Sequence, residues 1–425
     1  MGVHVSEAGR TAERVDLIST GIDNAPRALS PSAQCFLYLH KAEALSRDGD
    51  HQRAGTALNR AATLWEHQTA GDAPDWLDWF GEAQVKSTEG KVLLRAGQVE
   101  RATRSLAVSV ERAAPRDKAV RSSRLAEARL AGGEFAANGK VEIPVRWLLS
   151  HQAGLVALDE PVPLGEALAW HPMTAALAAQ CPQWIPGTAH GYHGRTWGWL
   201  VGEVIRRVSG RTPGCFFAEE IARPLGLDFF IGLPAGERDR VSRMVYRKPD
   251  VDLTTVPEES VPKDLRDLVA AWRDPNSLSN RAFAVTDPAN IDFDSPEVQA
   301  AELPSSNGIG TAHALARMYA ALIGEVDGVR LLTPETLASA TEEQASGQDR
   351  VMLAPSRFST GYMLPTTTIP MTGPSAFGHT GRGGSLGFAD PKHGIAFGYV
   401  MNHIIGGPDD LRATTLAETV RRSLA

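Results

Sequence analysis

A serine hydroxyl attacks an ester or amide only when a neighbouring group takes its proton, and on a helix a lysine three residues further on lies beside it. In this chain of 425 residues that spacing occurs at Ser260-Val261-Pro262-Lys263, within an acidic, proline-rich stretch. Pro262 suits the first turn of a helix running through Leu265 and Leu268, which leaves Ser260 outside it. Ser87 misses the spacing by one, with Lys91 at i+4, and Ser105, Ser122 and Ser123 have no lysine at i+3. Gly383-Gly384-Ser385-Leu386-Gly387 has the Gly-x-Ser-x-Gly form. A nucleophile elbow joins strand, turn and helix, however, and this run leads into a strand, so Ser385 reads as a strand residue. His190 and His193 form His-x-x-His in a glycine-rich loop without a third ligand nearby, so neither a metal nor a cofactor is expected.

Tyr192 and the run His379-Thr380-Gly381-Arg382-Gly383-Gly384 are the remaining groups with chemical potential, and regular elements must hold them. Trp197, Leu200, Val201, Val204, Ile205 and Val208 fall on one face of a helix closed by Gly210, which places Tyr192 on the loop just before it. Gly387 to Ala389 and Ile395 to Met401 read as strands joined by the turn Asp390 to Gly394, so the His379 run lies at the start of a hairpin. Thr311 caps a helix whose apolar stripe is Leu315, Met318, Tyr319 and Leu322. Leu416, Val420 and Leu424 give the last helix an apolar edge.

Four blocks stand in order: Leu148-Leu149-Ser150-His151-Gln152-Ala153-Gly154-Leu155; Trp184-Ile185-Pro186-Gly187-Thr188 leading to Gly191-Tyr192-His193; Pro224-Leu225-Gly226-Leu227; and Phe377-Gly378-His379-Thr380-Gly381. Together they resemble the serine hydrolases related to class C β-lactamases, D-alanyl-D-alanine peptidases and their esterase relatives. The resemblance implies an α+β fold, with a helical subdomain and an antiparallel sheet flanked by helices. It implies that Tyr192 contacts the nucleophile and shares in proton transfer, a role needing a rigid phenol near a cation. It also implies that the Arg382 backbone N–H faces the substrate carbonyl as an oxyanion donor, and that Thr380, Gly381 and Gly383 line the substrate. His379 stands where β-lactamases have lysine, which weakens attraction for a substrate carboxylate and favours an ester or amide without one. The family's Ser-x-x-Lys, expected several tens of residues before Leu148, is not found. The hydrolase part therefore reads as lacking its first strands and nucleophile helix, which leaves a strand edge and apolar faces open.

The preceding stretch, residues 30–134, is rich in Ala, Leu, Arg and Glu. Gly49 with Ala54, Leu58 and Ala61 is echoed by Gly97 with Ala102, Leu106 and Ser109, and by Gly132 with Ala137. Glycine turns and small residues predict paired helices. The segment resembles the tetratricopeptide tails of bacterial regulators, including Pro74-Asp75-Trp76 and Trp79-Phe80, which implies a protein or peptide partner. Residues 1–29 read as a disordered start, and residues 135–425 as the hydrolase part.

A net charge of -7 gives no field for phosphate backbones, so nucleic acid is not an expected partner. No apolar run reaches the roughly 20 residues that span a bilayer, and the polar start has no signal-peptide core, so a cytoplasmic protein is expected. Cys35, Cys181 and Cys215 are widely spaced and read as packing residues. Three functions follow from the sequence: a hydrolase-like domain with little or no activity, an active esterase using Ser260 or Ser385, or an interaction module whose hydrolase part is passive.

Overall fold

The computed structural model describes residues 11–24, 29–68, 74–77, 79–114, 121, 124–125, 135, 137–140, 143–247, 255, 257–261, 265–405 and 410–423. The chain forms two compact units, Met1–Gly133 and Glu134–Ala425.

The first unit is helical: α1 (Thr11–Asn24), α2 (Pro31–Arg47), α3 (His51–Glu66), α4 (Glu82–Arg95) and α5 (Val99–Glu111). Helices α2 and α3 pair across a turn at Gly49, and α4 and α5 across one at Gly97; both glycines have positive φ, +81° and +72°. Such turns favour glycine because a Cβ is strained there. Ser30 and Asp50 cap α2 and α3 by accepting from the N–H groups of Ala33 and Arg53. Ala42, Ala54, Ala61 and Ala102 are sealed in the core, and a Cβ on Gly90 would stand 2.4 Å from Leu106 Cγ. Paired helices are therefore observed where the glycine and alanine spacing predicts them; Gly132 lies outside the described residues. Part of the expected disordered start is ordered instead. Val15 and Ile18, one helical turn apart, are buried on α1, and that apolar contact stabilises a helix over residues 11–24.

Ser87 and Lys91 are absorbed into this packing. Ser87 is fully buried and its Oγ accepts from Arg124 Nη1 at 2.7 Å, while Lys91 Nζ lies 3.0 Å from the buried Glu43 carboxylate. Burial lowers the Lys91 pKa, against the pull of Glu43.

The second unit surrounds its sheet with helices. Strands β1 (Ala345–Gln348) and β2 (Pro355–Phe358) form one antiparallel pair; β3 (Phe377–Thr380), β4 (Leu386–Asp390) and β5 (Ile395–Tyr399) form an antiparallel sheet in the order β5-β4-β3. Bridges from Met363 to Phe358 and to Gly378 link the two. Asp390 pairs with Ile395, so the β4–β5 hairpin turns through residues 391–394 as expected. The His379 run, expected at the start of that hairpin, instead ends β3 and turns into β4. Ser385 lies in this turn, one residue before β4, and is not a strand residue.

Two helices position the site. Helix α6 (Thr196–Ser209) ends at Gly210 in the left-handed conformation. Its buried face is rotated from the apolar stripe: Gly198, Trp199, Gly202 and Glu203 are buried with Leu200 and Val204, whereas Trp197, Val201, Ile205 and Val208 are only half-buried. The cause is close packing, since a Cβ on Gly202 would lie 2.4 Å from the Trp170 ring. Helix α7 (Ala312–Ile323) is capped by Thr311, as expected, and lies on the sheet where Gly387 and Gly398 admit it. The last helix, α8 (Arg412–Arg422), buries Ala413 and Ala417 against Leu386 and Phe388. Of the expected apolar edge, Leu416 is exposed, Val420 is half-buried and Leu424 lies outside the described residues. Of the cysteines only Cys35 packs in a core; Cys181 and Cys215 are exposed, one in the loop after the helix His171–Ala179 and the other on a short helix, Pro213–Phe217.

Candidate active site

Tyr192 occupies an irregular loop before α6, and its ring is enclosed by other rings. His151 lies 5.1 Å away, His379 5.6 Å, and Phe358 6.2 Å in a stacked arrangement. The fold thus unites Tyr192 with His379, the two side chains the sequence singled out, and adds His151, Phe358 and Phe283. Burial pushes the Tyr192 hydroxyl up to about 12; the nearby Arg195 opposes this and Asp349 reinforces it.

The histidines are spacers between loops. His193 donates from Nδ1 to Gly191 O at 2.7 Å and accepts at Nε2 from Leu155 N–H at 3.1 Å. His151 adopts φ +62°, and its Nδ1 accepts from His193 N–H at 3.1 Å. His190 Nε2 meets Ser356 Oγ at 2.9 Å, and His379 Nδ1 donates to Thr380 O at 2.5 Å. Burial lowers the pKa of all four, His193 to about 4. They are neutral at pH 7. His190 and His193 use their nitrogens on different partners, and among the described residues no group of three or more His, Cys, Asp or Glu could hold a metal ion.

The turn after β3 is closed by Gly381 N–H to Ser385 O at 2.7 Å and Gly384 N–H to Gly381 O at 3.2 Å. Gly383 and Gly384 have φ of +84° and +99°, and half-buried Thr380 ends the strand beside them. The Arg382 side chain is exposed, and its N–H takes no part in closing the turn. Ser385 Oγ fills the space where Gly381 has no side chain: a Cβ there would be 2.0 Å from it. Ser260 is exposed on a short turn, Glu258–Ser260, and Lys263 lies outside the described residues.

The sequence reading overlooked Arg195 and Asp349. Arg195 is 7% exposed; its Nη1 donates to Ser306 Oγ at 2.9 Å and its guanidinium lies over Phe293. Burial lowers its pKa to about 10, with Arg382 adding to the shift. It is the cation nearest in sequence to the phenol, at the position where α6 begins. Asp349 is fully buried and accepts from the Tyr192 N–H at 3.1 Å. The site therefore combines a neutral phenol, neutral imidazoles and two arginines around a glycine-rich turn.

Comparison with known proteins identifies the family of this chain. A family model described as Beta-lactamase matches residues 92–421, so the match reaches back into α4. The esterase/beta-lactamase LipL of Mycobacterium tuberculosis is 36% identical over 282 residues, covering 64% of this chain; the chain spans 61% of that relative's length. EstA from Arthrobacter nitroguajacolicus Rue61a superposes with a TM-score of 0.59 at 35% identity, covering 68% of this chain and 75% of EstA. A family VIII carboxylesterase gives 0.57 at 35% identity, covering 68% and 73%. Among the described residues no helix is long and apolar enough to cross a membrane. With a family model matched over more than half its length and solved esterase relatives above 30% identity, the chain belongs to the beta-lactamase family.

Proposed function

We propose that the second unit is a beta-lactamase-family site for a small ester or amide that turns its ligand over weakly or not at all. The observation that carries this reading is the state of Tyr192. A phenol pushed up to about 12 stays protonated at neutral pH and cannot accept a proton until it has lost its own. Activating it requires a cation in contact with it and a serine in reach. Ser87 and Lys91 are consumed by helix packing, Ser260 is exposed on a surface turn, and Ser385 Oγ packs against Gly381. Loss of the nucleophile from a serine hydrolase costs about 10⁶ in turnover. His379 in place of lysine carries no charge at pH 7 and supports a ligand without a carboxylate at that point.

The test is hydrolysis of p-nitrophenyl butyrate and of a chromogenic cephalosporin by purified protein, with Tyr192→Phe alongside. Rates near background are expected for both. Enzyme-like turnover abolished by Tyr192→Phe would overturn the reading, and a fluorophosphonate label mapped to Ser385 or Ser260 would identify an active esterase instead.

A second reading concerns the helical unit, which we propose binds a protein or peptide. Phe36 is ringed edge-on by Trp76, Trp79 and Phe80, and Trp76 and Trp79 remain 58% and 55% exposed. Paired exposed tryptophans are common anchors of interfaces. If a Trp76→Ala, Trp79→Ala double variant recovers the same proteins as the wild type in a pull-down, this reading fails.

A further inference from the structure

The Tyr192 loop has no regular secondary structure, yet successive N–H groups in it are all bonded to segments far away in sequence. Gly191 N–H donates to His151 O at 3.1 Å, Tyr192 N–H to Asp349 Oδ1 at 3.1 Å, and His193 N–H to His151 Nδ1 at 3.1 Å. A buried N–H left unpaired is costly, so these acceptors fix the loop.

Of them Asp349 is the one without an obvious reason to be buried. A carboxylate with no solvent exposure is tolerated when its lone pairs are filled, and here they are. Oδ1 accepts from Tyr192, from Val351 N–H at 2.8 Å and from Met352 N–H at 2.8 Å, and Oδ2 accepts from Ser356 Oγ at 3.0 Å. Ser356 Oγ, its proton committed to Asp349, accepts in turn from His190 Nε2 at 2.9 Å. Arg350 N–H donates to His190 O at 3.1 Å. His190 and Tyr192, on either side of Gly191, are thus both tied to the segment after β1. The other contacts of Asp349 are local to its own turn; the bond to Tyr192 spans 157 positions.

We propose that Asp349 is the positioning residue for Tyr192, holding the phenol between His151, Phe358 and His379. The inference rests on Tyr192 belonging to the site, and not on whether the site turns substrate over. Its readout is therefore separate from any hydrolysis assay.

The imidazole resonances of His151 and His379, at 5.1 and 5.6 Å from the phenol, feel its ring current, and Tyr192→Leu supplies their positions without it. In Asp349→Ala both should move at least halfway towards those positions. Asp349→Asn, which keeps an oxygen for the Tyr192 N–H, should restore them. A folded Asp349→Ala with both resonances at their wild-type places overturns the proposal, because an aspartate that merely shapes its own turn would leave them unmoved. If the alanine variant does not fold, Asp349→Asn decides by amide exchange. A neutral amide oxygen is a weaker acceptor than a carboxylate, so the Tyr192 N–H should exchange about tenfold faster while amides of α7 keep their rates. Unchanged exchange at Tyr192 overturns it equally.

Discussion

Ser385 and Gly381 show how one hydroxyl can look like a nucleophile and act as a packing group. The Oγ sits 2.0 Å from where a Cβ on Gly381 would be, and the Ser385 Cβ 3.3 Å away. Gly381→Ala should therefore cost about 1–3 kcal/mol in urea denaturation, and adding Ser385→Ala should recover more than half of that. A double variant as unstable as Gly381→Ala alone would contradict the assignment. At this scale the sequence is informative where chemistry is local. Tyr192 and His379 are recognisable from their immediate neighbours, and the structure brings their rings together. Asp349 and Arg195 are not recognisable, because an acid 157 positions from its partner and an arginine at a helix start carry no periodic mark.

Helix α6 exists where the apolar spacing places it, but it faces differently, and the reason is steric. Periodicity counts large apolar residues, whereas Gly198 and Gly202 are buried by what approaches them, Ser305 and Trp170. Alanine is favoured over glycine in a helix by about 1 kcal/mol, so Gly202→Ala tests which effect wins. With Trp170 Cη2 at 2.4 Å from the new methyl, overpacking should dominate and the variant should lose about 1–3 kcal/mol net. A stabilised Gly202→Ala in thermal or urea melts would show that Trp170 yields. The same limit applies to α8, whose leucine stripe suggested a core edge that its alanines supply. The turns at Gly49 and Gly97 are legible for the opposite reason, since positive φ is a property of single residues.

Across the whole molecule, the two units should respond to acid in different pH windows. Unfolded histidines bind protons below about pH 6.5, whereas His193 in the folded second unit stays neutral to about 4, and His151, His190 and His379 are also lowered. The unfolded state then binds more protons, so stability falls as pH drops from 6.5, by up to about 1.4 kcal/mol per pH unit for each histidine. In the helical unit, burial alone would raise the Glu43 pKa, but Lys91, Arg47 and Arg95 override it and bring it to about 2. A depressed carboxylate stabilises the fold above its unfolded value near 4.5 and loses that contribution as pH falls towards 2. Acid titration followed by circular dichroism should show the second unit unfolding first, with Glu43→Gln flattening only the later transition. One shared transition, or an effect of Glu43→Gln on the earlier one, would refute this assignment. The exposure of Trp76 and Trp79 has a further consequence, because Trp184 and Trp199 of the other unit are only 7% and 3% exposed. Water around the first pair reddens their fluorescence and admits acrylamide, whereas the sealed pair emits further to the blue and resists quenching. Of the described tryptophans only Trp76 and Trp79 are exposed, so a partner settling on the helical unit would announce itself as a blue shift of the most quenchable light.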